Sequence, residues 1–208
     1  MIRAVAVATA VVLATTGTAW GAGLALSTAH LGAGAASTPA MYPVWLQLTN
    51  KTNGTAGKVQ SGDSITFAWS QQIDETTLCS GWSNSLSSQS LTLQWSVVNG
   101  ASGAHDKLQV TGSSSTCVGG LHIGTVDLGS TGYDTSTTSI DFPTTTNVLS
   151  VGTSSTTLTV TLNGQVNGTA GTVSSGTAAV WTPVATVKDR SGRACGTNLA
   201  QSSATVQF

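Results

Sequence analysis

Charge is the scarcest commodity in this chain. Its 208 residues include 7 Lys or Arg and 8 Asp or Glu, with Glu75 the single glutamate. A nucleic-acid partner is excluded on that ground, because gripping a phosphate backbone takes a Lys/Arg footprint that displaces counterions. Scarce Lys and Glu also argue against helices, whose exposed faces those residues ordinarily fill. Glycoside hydrolysis needs two carboxylates facing one cleft, and no such pair stands out around the sole Glu. Glu75 stands beside Asp74, a pair better suited to the start of a short helical turn, where acids complement the dipole. The three cysteines and three histidines are too scattered for the close ligand spacing of a zinc site. No Asp-x-Asp-x-Asp loop gathers Asp63, Asp74, Glu75, Asp127, Asp134, Asp141 and Asp189 into a calcium site. His105 and Asp106 are adjacent among many serines, but no nucleophile elbow accompanies them. The expectation is a chain that is not an enzyme, with no cofactor and no metal site.

What is present begins with a targeting segment. Arg3 is the one charge before an apolar run, "AVAVATAVVLA" from Ala4 to Ala14, and small uncharged residues continue to "AGAASTPA". Residues 1–35 read as a secretory signal peptide with Ala33-Gly34-Ala35 as the cleavage site, cleavage near Ala19 or Ala22 being the alternative. The rival is an uncleaved membrane anchor, since Ala4 to Leu26 carries no charge and about 20 residues span a bilayer. Both readings export the rest: a linker over 36–42 and one domain over 43–208. Localisation is then secreted, or on the extracellular face of the cell envelope. Membrane contact is expected only through that N-terminal segment, if uncleaved.

Export changes how the cysteines read. In an oxidising compartment a disulfide is the default. Cys79 with Cys117 closes a loop of intermediate length, stabilising by about 3 to 4 kcal/mol in the chain-entropy model, and leaves Cys195 free. Spacing alone does not exclude Cys79 with Cys195.

Beyond residue 40 the hydrophobic period is two. "SITFAWS" sets Ile65, Phe67 and Trp69 on one face, and "LTLQWSV" does the same with Leu91, Leu93, Trp95 and Val97. Further strands are expected at "VWLQL", "KLQV", "LHIGTVDL", "TSIDF", "TTLTVTL", "AVWTPVATV" and the closing "ATVQF", with Pro183 marking an edge or a bulge. His122, inside one of these strands, reads as partly buried and hydrogen-bonded. Many short strands joined by Gly-, Asn- and Ser-rich turns predict an all-β sandwich. Two near-identical phrases, "NGTAGKVQSG" from Asn53 and "NGTAGTVSSG" from Asn167, each precede a strand. They read as turns in which glycine permits positive φ and one Val tucks into the core, not as a ligand repeat, because they hold almost no discriminating side chain.

"GDSITFAWSQQIDETTLC" resembles the opening of the bacterial Ig-like domains of surface-layer and other envelope proteins. "TPVATVKDRSGRACGTN" is similar to their last hairpin, with Lys188, Asp189 and Gly192 matching and Arg193 in place of the usual Asn. "GTVDLGSTGY" and "TTLTVTL" also fit exported actinobacterial versions. The resemblance covers roughly Pro43 to Phe208 and implies an Ig-like β-sandwich of about 7 to 9 antiparallel strands, serving as a spacer, stalk or binding module. It supplies no catalytic site.

Function is therefore expected to be that of a non-catalytic exported structural or interaction module. Its expected partner is a cell-wall glycan or another envelope protein. The alternatives are a carbohydrate-binding module and a camelysin-like filament subunit. Trp69 and Trp95 share faces with aliphatic residues and belong to the core. Val44, Leu46 and Leu48 are expected to face inward, which throws Trp45 outward. With loop residue Trp82, Tyr42 and Trp181 it forms the candidate stacking platform for a sugar. "NKT", "NGT" and "NGT" at Asn50, Asn53 and Asn167 match glycosylation acceptors, though in a bacterial chain no modification is expected. Asp189 in "DRSG" is expected to accept backbone N–H groups and fix its hairpin.

Overall fold

A computed structural model describes residues 40–85, 87–100, 103–203 and 208. The signal-peptide or anchor segment over 1–35 lies outside the described residues, as does most of "ATVQF". The chain is all-β. Its strands are β1 (Pro43–Thr49), β2 (Ser64–Trp69), β3 (Gln89–Val98), β4 (Lys107–Val110), β5 (Thr125–Asp127), β6 (Ile140–Val151), β7 (Thr156–Thr161), β8 (Val180–Thr182) and β9 (Ala200–Gln201). One short helix, α1 (Glu75–Leu78), follows β2. All nine strands belong to one antiparallel sheet in the order β1-β2-β7-β6-β3-β4-β5-β8-β9. β1 and β9, the two ends of that order, lie against each other, and the Gly196 N–H donates to the Met41 carbonyl at 2.8 Å. The sheet thus curls almost into a barrel, hiding both of its edges.

Alternation is cleanest in β7, where Thr156, Leu158 and Val160 are buried between half-buried threonines. Ile65, Phe67 and Trp69 of β2 and Leu93, Trp95 and Val97 of β3 are buried as the period required, Leu91 less so. The inward aromatics form a connected cluster. Trp181 meets Phe67 and Trp69 edge-on, at centroid distances of 4.9 and 5.1 Å, and Phe67 stacks on Trp95 at 6.1 Å. Burying an indole leaves its N–H to be satisfied. Trp181 Nε1 donates to the Ile123 carbonyl at 2.7 Å, and Trp95 Nε1 donates to Asn147 Oδ1 at 2.8 Å.

Several expected strands differ in extent. "TSIDF" is only the start of β6, which runs for 12 residues. Its inward set shifts parity from Ile140 and Phe142 to Thr145, Asn147 and Leu149, and the pairing with β3 slips between Leu93 and Trp95. Pro143 sits in that irregularity, where a missing N–H costs no ladder bond, and the Thr145 hydroxyl donates to the Phe142 carbonyl at 2.8 Å. "LHIGTVDL" yields only β5, Thr125–Asp127. His122 precedes it and is exposed, its ring Nδ1 3.1 Å from the Thr77 carbonyl. "AVWTPVATV" yields only β8, which stops at Thr182, before Pro183.

β1 also departs from its expected faces. Leu46 is buried and Leu48 half-buried, but Val44 is 48% exposed beside Trp45. A register irregularity between Pro43 and Trp45 turns Pro43 inward and both following residues outward.

The repeated phrases share their letters but not their backbone. Asn53 and Asn167 both have positive φ (62° and 52°), and Val59 and Val173 are both buried. Gly57 has φ of 76°, whereas its counterpart Gly171 is held by proximity: a Cβ there would lie 2.2 Å from the Gly132 carbonyl oxygen. The two turns meet, with the Val173 N–H donating to the Gly57 carbonyl at 2.8 Å.

Candidate functional site

Three loops from distant parts of the sequence converge on one open cleft of about 440 Å³. The loop after β2 contributes Ser70, Gln71 and Gln72, and the β6–β7 turn contributes Thr153 and Ser154. The third wall is the hairpin that holds Asp189, Arg190, Ser191 and Arg193. Backbone pairing locks hairpin to loop. Ile73 bridges Asp189, Asp74 N–H donates to the Lys188 carbonyl at 2.7 Å, and Ile73 N–H donates to Thr156 Oγ1 at 3.1 Å. Gln72 ties in the third segment, its amide donating to the Gly152 and Thr153 carbonyls at 2.7 and 3.2 Å.

Asp189 organises the hairpin as its sequence suggested. Its Oδ1 accepts from the Ser191 N–H, the Ser191 hydroxyl and the Arg193 N–H at 2.9, 2.6 and 3.0 Å. Its Oδ2 accepts from Arg193 Nε at 2.8 Å and pairs with Arg193 Nη2 at 2.6 Å. Burial works against ionisation here, but the bonds from Ser191 and Arg193 outweigh it and hold the carboxyl below its usual range.

The second guanidinium reaches the back of the cleft. Arg190 Nη2 donates to Glu75 Oε1 at 2.5 Å, and Glu75 is fully buried. Gln89 donates to the other Glu75 oxygen. Asp74 caps α1, accepting from the Thr76 N–H at 3.1 Å and the Thr76 hydroxyl at 2.6 Å. Its burial opposes ionisation, yet Thr76, Asn84 and the nearby Arg190 charge lower its pKa. Both guanidinium groups of the cleft are therefore matched by a carboxylate, and Arg190 Nε, itself buried, has no hydrogen-bond partner.

General acid catalysis needs a carboxyl held protonated near neutrality, and Asp189 is held the other way. Of the remaining carboxylates, Asp141 accepts from the Ser96 and Ser139 hydroxyls and the Asn167 amide, while others fix backbone. Asp106, buried, accepts from the Gly100, Tyr133 and Asp134 N–H groups at 3.0, 2.8 and 2.9 Å. Its neighbour His105 faces elsewhere and lies 2.9 Å from Asp127 Oδ1. Asp63 accepts from the Lys51 and Gln60 N–H groups at 2.9 and 2.6 Å, burial raising its pKa more than those bonds lower it. Among the described residues no group of three or more His, Cys, Asp or Glu side chains converges as metal ligands would.

The proposed aromatic platform is not assembled. Trp181 is 0% exposed in the core and Trp82 is 5% exposed, so neither presents a face to a ligand. Trp82 is drawn in because its loop is pinned: its N–H donates to the Cys79 carbonyl at 3.0 Å, and Cys79 is joined to Cys117. Tyr42 and Trp45 are exposed, at 45% and 38%. Tyr42 adjoins the cleft, exchanging hydrogen bonds of 3.0 Å with Ser70 through its N–H and its carbonyl. Cys195 is free and buried. Burial pushes its thiol up to about 11, against a smaller opposing effect of the Trp69 N–H.

Sequence reasoning passed over Gln71, Gln72, Thr153, Ser154, Arg190 and Arg193 as ligand contacts. One signal was available: apart from Arg3, Arg190 and Arg193 are the only arginines of the chain, three residues apart. No protein-family model, no curated protein and no solved structure matches the chain.

Proposed function

We propose that the chain is a non-catalytic interaction module of the Ig-like kind, exported and working on or near the cell envelope. The observation that carries the reading is the Cys79–Cys117 disulfide, sealed in the core of an all-β domain whose sequence follows an uncharged apolar run. A buried disulfide suits an oxidising compartment. Support for the non-catalytic part comes from the carboxylates, most of which cap turns or neutralise guanidinium groups. The Ig-like resemblance adds the envelope setting, and the nine antiparallel strands are consistent with an all-β sandwich or barrel.

Export is tested by expressing the full chain in a secretion-competent bacterial host and locating it by fractionation and mass spectrometry. The expected outcome is an extracellular or envelope-bound protein with Cys79 linked to Cys117. A mature terminus at Ala36 indicates cleavage, and full-length chain in the membrane fraction indicates the anchor. Cytosolic full-length protein with reduced cysteines would overturn the reading.

A second reading, glycan binding, is favoured by the cleft, whose walls carry amides, hydroxyls and guanidinium groups, and not by a tryptophan platform.

A further inference from the structure

We infer that the cleft between the loop after β2, the β6–β7 turn and the Asp189–Arg193 hairpin binds a neutral saccharide, with Tyr42 at its margin. The inference rests on the extracellular reading and deepens its glycan-binding alternative. Size is the first support: about 440 Å³ falls within the roughly 300 to 1,000 Å³ typical of small-ligand sites. Charge is the second. Arg190 and Arg193 are each paired with a carboxylate, so no uncompensated cation selects an anion. A polyhydroxylated neutral ligand fits that balance, because every hydroxyl both donates and accepts.

The lining is suited to such a ligand. It combines amides, guanidinium groups and hydroxyls, and Thr153 and Ser154 spend no side-chain hydrogen bond within the described chain. Arg190 adds a buried Nε–H that has no hydrogen-bond partner among the described residues. The walls are preorganised, since Gln72 and the Asp189 network fix all three segments before any ligand arrives. Tyr42 is exposed and bonded through its backbone to Ser70, a residue of the cleft wall, and its ring is included in the inferred site as a surface for the apolar face of a sugar.

The test uses the full chain in native gels containing hydroxyethyl cellulose, glycol chitin or yeast mannan, with polygalacturonate as the acidic comparison. Retardation by at least one neutral polymer is expected, followed by saturable calorimetric binding of the matching tetrasaccharide. Ser154→Trp, which fills the cleft from an exposed turn, should weaken binding about tenfold or more, and Tyr42→Ala should weaken it several-fold. Trp45→Ala should leave binding within about twofold, because it does not line the cleft. Melting temperatures of the three variants are measured alongside, so that loss of binding counts only in a folded protein. If Ser154→Trp misfolds, Thr153→Arg gives the same readout. Retardation that survives both cleft variants, or that is lost in Trp45→Ala, would overturn the inference. So would retardation by polygalacturonate alone, or by none of the polymers. Those failures leave the fractionation result standing, so the cleft and the export reading fail separately.

Discussion

Asp189 is the residue on which the cleft depends most. It is 2% exposed, accepts four hydrogen bonds from Ser191 and Arg193 and pairs with Arg193 Nη2. Replacing it with Asn keeps the size but removes the charge that holds Arg193. Asp189→Asn should therefore destabilise by about 2 kcal/mol, within the range for bonds to charged groups, as read by urea unfolding at pH 7. The pH dependence has a definite sign. A carboxyl whose folded pKa lies below its unfolded value of 3.8 contributes stability that is fully present above that value and fades as pH falls through the folded pKa. The native protein should lose stability as pH falls below about 3.8, and the variant should lose less of it over the same fall. Equal pH profiles would show that Asp189 is not held ionised. Cys195 gives a second readout at this scale. Buried, with its thiol pushed up to about 11, it should resist Ellman's reagent at pH 8 in the native state and react fully in urea. Rapid native labelling would contradict its burial.

Turns are the elements that decide the architecture. Gly57→Val places a β-branched residue at a φ of 76°, and Gly171→Val drives a Cβ toward a carbonyl oxygen 2.2 Å away. Each should cost about 1 to 3 kcal/mol, while Lys58→Thr, which copies the second phrase into the first, should change stability by less than about 0.5 kcal/mol. Thermal melts of the three variants check the ranking, and a Lys58→Thr effect as large as either glycine change would reverse it. The same elements show what the sequence could and could not disclose. β2, β3 and β7 were legible because their inward residues are apolar and alternate. The second half of β6 was not, since two of its inward residues are Thr145 and Asn147, polar side chains satisfied by Phe142 O and Trp95 Nε1. The expected strand "TSIDF" ended at Phe142, just before Pro143, which in the structure lies at an irregularity inside a longer strand. The cleft was illegible for a different reason: its walls come from three separated loops, and only the close pair of arginines marked one of them. Trp82 was misplaced because a loop position implies exposure until a disulfide draws the loop inward.

At the scale of the molecule, the Cys79–Cys117 link joins the chain after α1 to the connection between β4 and β5, a separation of 38 residues. Cys79→Ser with Cys117→Ser should lower stability by about 3 to 4 kcal/mol, and dithiothreitol should bring the native protein to the same urea midpoint. An unchanged midpoint would show that the bond adds nothing to the folded state. The strand order has its own consequence, for the time at which each part of the fold can form. β3–β4 and β6–β7 join neighbours in the chain, but β2 pairs with β7, bringing together residues such as Thr66 and Thr159 that are 93 positions apart. Closing a loop of that length precedes any reward from the contacts it makes, and β-rich chains dominated by such pairings fold in about milliseconds to seconds. A chain that crosses a membrane N-terminus first delivers β2 long before its partner. Were this chain exported as proposed, Phe67 and Trp69 would stay uncovered until residue 161 had followed them out, and whatever received the emerging chain would have to keep β2 from finding another strand in the meantime.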